Sequence, residues 1–344
     1  MSSPSISIVI PTCRRPGALA RAAASALAQE IGVAAELVVV DNDPAGSAAA
    51  MVSAMAEGAP IPVRYVHAPE PGVANARNVG VDAARGEFIA FLDDDEAAPP
   101  GWLNALLATA ALFDADAVFG PVRTLLPDDS VDHAAYFELF FARTGPASAQ
   151  IVPRAYGCGC SLVRKAAMPD RAEPFSRARN ASGGEDDLMF AEMKAMGARF
   201  AWSPDAWVWE APEPSRLTLA YTLRRAFAYG QGPCSAAAAR GVLHWPLIPL
   251  WMGAGVIQAI AFGLKTLMDR AIGAPTLPYS LDRAARGVGK LLWFSPFKIS
   301  FYGRPARRAA APMHGDRHEC DRRLDAGRSE GVHKSEPQLP APAG

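Results

Sequence analysis

Five apolar residues, Phe88 to Leu92, run directly into Asp93, Asp94 and Asp95. A short apolar run without strict alternation reads as a strand covered on both faces, the pattern of a parallel sheet enclosed by helices. In open α/β sheets, ligands bind at the carboxyl edge of the strands. A strand ending in three carboxylates therefore brings concentrated negative charge to that edge. Adjacent carboxylates repel one another, and a hard divalent cation with oxygen ligands is the partner that relieves them. A bare acidic run can also be a solvated turn, so the surrounding sequence decides between the two.

That surrounding sequence repeats the design. Ile6 to Ile10, Glu36 to Val40 and Val63 to Val66 are short strand-like runs, and Pro16 to Gln29, Ser47 to Glu57 and Val73 to Arg85 read as helices. Pro16 suits a first turn, Ser47 an N-cap and Gly86 a C-terminal stop. Strands alternating with helices at this spacing imply a parallel, doubly wound sheet. Right-handed crossovers then put every strand's carboxyl end on one edge. Thr12, Asp41 to Asp43 and Asp93 to Asp95 gather there. Arg77 and Asn78 lie on the helix before the aspartate strand. A cation and an amide beside carboxylates suit a bound nucleoside diphosphate, with Arg on phosphate oxygens and carboxylates on the metal between them.

Further along, Trp102 to Phe113 reads as a helix and Ala117 to Val122 as a strand, while residues 123–155 are less regular. The turn Tyr156-Gly157-Cys158-Gly159-Cys160 admits two readings: close backbone approach to a ligand, or a tight turn between strands. It lacks the spacing of a dinucleotide fingerprint. Gly183-Gly184-Glu185-Asp186-Asp187 precedes an apparent helix, Leu188 to Met196. Acidic residues there satisfy a helix N-terminus, or else one of them projects as a general base. The five cysteines show no disulfide framework, which fits a reducing compartment, and Cys158 with Cys160 lacks the second pair a zinc site needs.

Taken in order, these segments resemble the family 2 glycosyltransferases, which carry the nucleotide-sugar-binding, Rossmann-like GT-A fold. The resemblance covers roughly residues 5–215. It rests on ISIVIPTCRRP, VVVDNDP, PGVANARNVG followed by GEFIAFLDDDE, and GGEDDLMFAEMKAMGARF. It implies a nucleotide-sugar site that includes Thr12, with Asp41 contacting the base and Asn42 or Asp43 assisting. It implies that Arg77 and Asn78 lie near the base and diphosphate. Asp93 and Asp95 become an Asp-x-Asp pair, with Asp95 the more direct ligand of Mg²⁺ or Mn²⁺ and Asp93 or Asp94 facing the sugar or ribose. Asp186 becomes the catalytic base, with Glu185 beside it. Glu210 stands where many relatives carry His, and the Gly157–Cys160 turn departs from the commoner Gly-Asn pattern.

The carboxyl-terminal third is a different object. Residues 1–219 hold 17 Lys+Arg against 27 Asp+Glu, whereas residues 220–310 hold 12 against only Asp269 and Asp282. Within that basic segment, Trp245 to Leu264 carries no charge and reaches the length needed to cross a bilayer. Its Pro and Gly content makes it a poor regular helix in water. Lys290 to Phe301 mixes cations with aromatics, as interfacial segments do. Cations on both sides favour a re-entrant or in-plane segment over a crossing. The polar, Pro/Gly-containing stretch after residue 304 reads as disordered.

The chain is thus expected to comprise a GT-A domain over 1–215, a membrane-associated helical region over 216–304 and a tail over 305–344. Its expected activity is inverting, metal-dependent sugar transfer at the cytoplasmic face of a membrane. The expected partners are a nucleotide-sugar donor and a growing polysaccharide or lipid-linked oligosaccharide, and nucleic acid is not among them. The run RLTLAYTLRRAFAYGQG resembles exopolysaccharide-assembly members of the family. The rival readings are a nucleotidyltransferase, whose glycine-rich phosphate-binding opening is missing from ISIVIPTCRRP, and a membrane-bound scaffold with a dead catalytic domain.

Overall fold

The computed structural model describes residues 5–299, apart from residues 31, 128–130, 181 and 182. The tail over 305–344 and the last residues of the 216–304 region lie outside the described residues.

The chain opens as expected, with strands and helices in alternation. β1 (Ile6–Thr12), α1 (Pro16–Leu27), β2 (Ala35–Asp41), α2 (Ala49–Ala56), β3 (Val63–His67), α3 (Val73–Ala83) and β4 (Phe88–Phe91) follow one another. β1 pairs in parallel with both β2 and β4, and β2 with β3. In that register Thr12 stands beside Asp41. Side chains alternate across the sheet. Ile6, Ile8 and Ile10 pack with Leu19, Ala22 and Ala23 of α1, whereas Val9 packs with Ala74 and Ala76 of α3.

Then the pattern changes. β5 (Glu96–Ala97), α4 (Trp102–Phe113), β6 (Ala117–Phe119), β7 (Val122–Thr124), α5 (Ala134–Phe141), β8 (Gln150–Ile151) and β9 (Ser161–Arg164) lead to α6 (Glu185–Ala195), β10 (Phe200–Trp202) and β11 (Val208–Glu210). The main sheet has the order β3-β2-β1-β4-β9-β6-β10-β8, and a small second sheet has the order β5-β11-β7. β9 runs antiparallel to both β4 and β6, and β8 antiparallel to β10. The sheet is therefore mixed, not wholly parallel as its first half implies. The single expected strand over 117–122 breaks at Gly120-Pro121, and its two halves serve different sheets.

Several expected helix boundaries also differ: α6 begins at Glu185, not at Leu188. Ser47 does not cap α2: Ala48 occupies the cap position and donates its backbone N–H to the Asp41 carboxylate at 2.7 Å. Gly86 does not stop α3, which is closed at Ala84. It lies against β1, where a Cβ would come within 2.5 Å of the Ser7 nitrogen.

Three helices complete the described chain: α7 (Leu219–Ala239), α8 (Leu247–Ile272) and α9 (Leu277–Leu291). Thr218 caps α7, accepting from the Tyr221 N–H at 3.2 Å. α8 is a regular helix despite its prolines. Pro246 precedes it and Pro249 sits in its first turn, where the missing N–H has no intrahelical partner to lose.

Candidate active site

Both acidic clusters meet at the sheet edge. The three aspartates follow β4 and are bound into a lattice of arginines. Arg15, three residues beyond the end of β1, reaches both Asp94 and Asp95 at 3.1 Å and holds Glu213 at 2.9 Å. Arg216 approaches Asp95 at 3.5 Å, and the Thr12 hydroxyl donates to Asp94 at 2.8 Å. Asp93 is the most open of the three, with 36% of its side chain exposed, and it accepts from Arg77 at 3.3 Å.

The same Arg77 guanidinium forms a buried ion pair with Glu185, the first residue of α6. It thereby joins the Asp93 turn to the helix that carries Asp186. Arg77 Nε and Glu185 Oε2 are buried without a partner among the described residues.

The Gly157–Cys160 turn lies between the clusters. Cys158 donates its backbone N–H to Asp186 at 3.1 Å, and Cys160 donates to Glu96 at 3.1 Å. A Cβ on Gly159 would stand 2.7 Å from carboxylate oxygens of both Asp93 and Glu96. The turn leads into β9, and its glycine permits close approach to the site's own carboxylates. Burial pushes the Cys158 and Cys160 thiols up, the latter to about 12, which keeps them as neutral packing groups.

Glu96 and Glu210 face each other across the antiparallel pair of β5 and β11. Loss of water, then the charges of Asp95 and Asp93, push Glu210 up to about 8. Burial, then Asp93 and Asp94, push Asp95 up to about 6, against the opposing pull of Arg15 and Arg216. Glu96 is raised by burial and by Asp93. Five carboxylates thus share too little positive charge.

That imbalance is the test for a metal. Among the described residues no three His, Cys, Asp or Glu side chains are placed to chelate an ion by themselves. Mg²⁺, however, is typically held by one or two carboxylates together with substrate phosphates. A crowded, oxygen-only set opened by Asp93 fits a hard dication that shares its shell with a diphosphate.

Several other residues singled out in the sequence hold the surrounding backbone. The Asp41 carboxylate is fully enclosed, accepting from the N–H groups of Asp43 and Ala48 and from the Tyr65 hydroxyl. Asn42 binds the backbone of Ala68, Glu70 and Gly72, and Asp43 pairs with Arg14 at 3.0 Å. Together they fix the loop after β2. Asn78 clamps the backbone of Phe175 with both ends of its amide and does not reach the acidic clusters. Arg77 touches both acidic clusters, which its position on a helix does not reveal.

Sequence reading missed Arg15, Glu96, Arg143 and Arg216. Arg15 follows β1 so closely that the argument singling out Thr12 applies to it as well. Arg143 donates to the Gly159 carbonyl from the irregular region after α5, where no periodicity marks it.

A sheet that delivers such carboxylates to its carboxyl edge, beside the helix that carries Asp186, fits a GT-A-type glycosyltransferase. The Glycosyl transferase family 2 profile matches residues 7–170. Succinoglycan biosynthesis protein ExoM of Rhizobium meliloti (strain 1021) is 35% identical over 235 residues, covering 66% of this chain and 73% of that protein. ExoO of the same organism is 36% identical over 107 residues, covering 31% of this chain and 30% of that one. Among solved structures, S. aureus TarS 1–349 overlays with a TM-score of 0.46 at 16% identity, covering 83% of this chain and 90% of that one. The chain belongs to glycosyl transferase family 2. It is a glycosyltransferase that draws its sugar from a nucleotide-sugar donor, and the nucleotidyltransferase reading is set aside.

Proposed function

We propose that this enzyme transfers a sugar, with inversion, from a nucleoside-diphosphate donor to a growing exopolysaccharide or a lipid-linked oligosaccharide at the cytoplasmic face of a membrane. The observation that carries this reading is the turn at Gly157–Cys160. One short loop touches Asp186 through the Cys158 N–H and Asp93 through Gly159. A candidate base and a candidate phosphate-and-metal cluster are thereby held as neighbours.

Asp186 takes the proton of the acceptor hydroxyl as that oxygen attacks the anomeric carbon. A single displacement on the face opposite the leaving group inverts the centre. The Cys158 N–H fixes the carboxylate's direction. A positioned base of this kind contributes roughly 10²–10⁴-fold. Asp95 and Asp93 are the residues that would hold Mg²⁺ or Mn²⁺, and the ion supplies charge neutralisation for the departing diphosphate. Arg15 and Arg216 are free to exchange Asp95 for phosphate oxygens, since a guanidinium suits either partner. Thr12, Asp41 and Asp43 shape the nucleoside side of the cleft. Asp41 does so through the backbone it fixes.

The polysaccharide acceptor is supported by the similarity to ExoM and ExoO, which are succinoglycan biosynthesis proteins. The membrane is supported by Val242–Ile272, a segment long and apolar enough to cross a bilayer and almost wholly unburied in its most apolar window.

Turnover of a panel of nucleotide sugars, with and without Mn²⁺, tests the reading. Asp95→Asn should remain folded and lose most activity. Full activity of that variant in EDTA would rule out the metal site, and a wild-type enzyme that turns over no donor would restore the scaffold reading.

A further inference from the structure

α8 meets the length criterion for a bilayer crossing, but its packing points elsewhere. α9 runs back alongside it. Near the turn between them, Lys265 reaches Thr276, and further along Gln258 donates to the Arg283 carbonyl at 2.8 Å while Lys290 donates to Gln258 at 2.7 Å. The helices touch backbone to backbone. A Cβ on Gly287 would lie 2.6 Å from the Ala259 nitrogen, and one on Gly255 would lie 2.9 Å from the Gly287 carbonyl. Asp282, Arg283, Arg286 and Lys290 are therefore level with the uncharged part of α8.

The other side of α9 is equally committed. A Cβ on Gly289 would overlap the Phe227 carbonyl of α7. Tyr136 of α5 donates to Asp282 at 3.4 Å, and its ring meets the edge of Tyr279 at 5.3 Å. α9 is thus wedged between α8 and elements that lead back to the catalytic body, since α5 packs on β7 of the small second sheet. Placing α8 across a bilayer would carry α9's charges into hydrocarbon, where charged side chains are costly, and would drag α7 and α5 after them.

The surface of α8 away from α9 is apolar and open. Leu250, Ile257, Ile260, Leu264 and Leu267 are each at least 60% exposed. Trp245 and Trp251 are exposed at its start, and the segment around it is strongly basic. Exposed aromatics, an apolar face and surrounding cations match an anionic bilayer surface.

We infer that α8 is an in-plane anchor: it lies along an anionic bilayer with α9 between it and the catalytic body, and it does not cross. The α8–α9 turn, residues 273–276, then stays on the same side of the membrane as the active site. This rests on the membrane reading above and adds the mode of attachment.

The full chain carrying Pro275→Cys, or Ala274→Cys should the first fail to accumulate, is expressed in bacteria. Membranes are prepared as inverted vesicles and as spheroplasts. Both are treated with a membrane-impermeant maleimide, and the label at the turn is read by peptide mass spectrometry, so that native cysteines do not interfere. Activity of intact inverted vesicles on added nucleotide sugar reports the side of the active site. The expected result is protein that stays with membranes through a high-salt wash, with the turn labelled in inverted vesicles and protected in spheroplasts. A turn labelled only in spheroplasts overturns the in-plane anchor and leaves membrane association standing. Protein found in the low-salt supernatant overturns the membrane reading itself.

Discussion

Arg77 and Glu185, 108 positions apart in sequence, form a buried ion pair that ties the helix before the aspartate strand to the helix bearing Asp186. The other terminal nitrogen of Arg77 rests on Asp93. One guanidinium thereby sets the spacing of the two acidic clusters.

Arg77→Gln should be costly, because it leaves Glu185 buried and unpaired. Breaking a buried pair by removing one partner costs about 3–5 kcal/mol. Removing both charges, in Arg77→Gln with Glu185→Gln, should cost less than the sum of the two single changes. Urea unfolding of the four proteins measures this coupling. Additive losses would mean that the pair is not formed.

Gly159→Ala tests the turn. The added methyl would meet Asp93 and Glu96 oxygens at 2.7 Å, so the turn or the carboxylates must move. Overpacking of this kind costs about 1–3 kcal/mol. Because the displaced groups belong to the site, kcat should fall by more than the lost stability explains. An unchanged kcat would show that the turn does not set Asp93.

The crowded carboxylates predict an unusual pH dependence. Glu210 is raised from 4.5 to about 8, so between those values the folded metal-free protein holds a proton that the unfolded chain has released. Stability contributed by this group is fully present below about pH 4.5 and is lost as pH rises through about 8. Thermal unfolding of metal-free enzyme should therefore show a falling Tm across that window. Glu210→Gln should flatten the fall, and a profile identical in wild type and variant would refute the assignment.

The first half of the fold is legible in sequence because β1, β2 and β4 are short apolar runs buried on both faces and β1, β2 and β3 are each followed by a helix of ordinary length. That regularity ends at β5. β9, which enters the sheet antiparallel, is four residues long and follows an irregular stretch, so local pattern carries no sign of its direction. Asp93 and Asp95 stand out because charge ends an apolar run, and Asp186 because it sits in an acidic cluster behind two glycines. Arg216 does not, because an arginine in a short turn looks the same in sequence whether it faces water or a carboxylate. Asp41 and Asn78 show what local pattern leaves out: polar residues at strand ends and on helices also hold local structure, Asp41 through Asp43, Ala48 and Tyr65 and Asn78 through the backbone of Phe175.

The central claim is that Asp186 does the chemical step while the aspartate cluster binds donor. Asp186→Asn preserves size and can still accept the Cys158 N–H, but it cannot take a proton. Donor affinity measured by calorimetry in the presence of Mn²⁺ should be unchanged, and kcat for sugar transfer should drop by roughly 10²–10⁴-fold. An Asp186→Asn enzyme that fails to bind donor, alongside a Glu185→Gln enzyme that binds donor and alone loses transfer, would contradict the assignment.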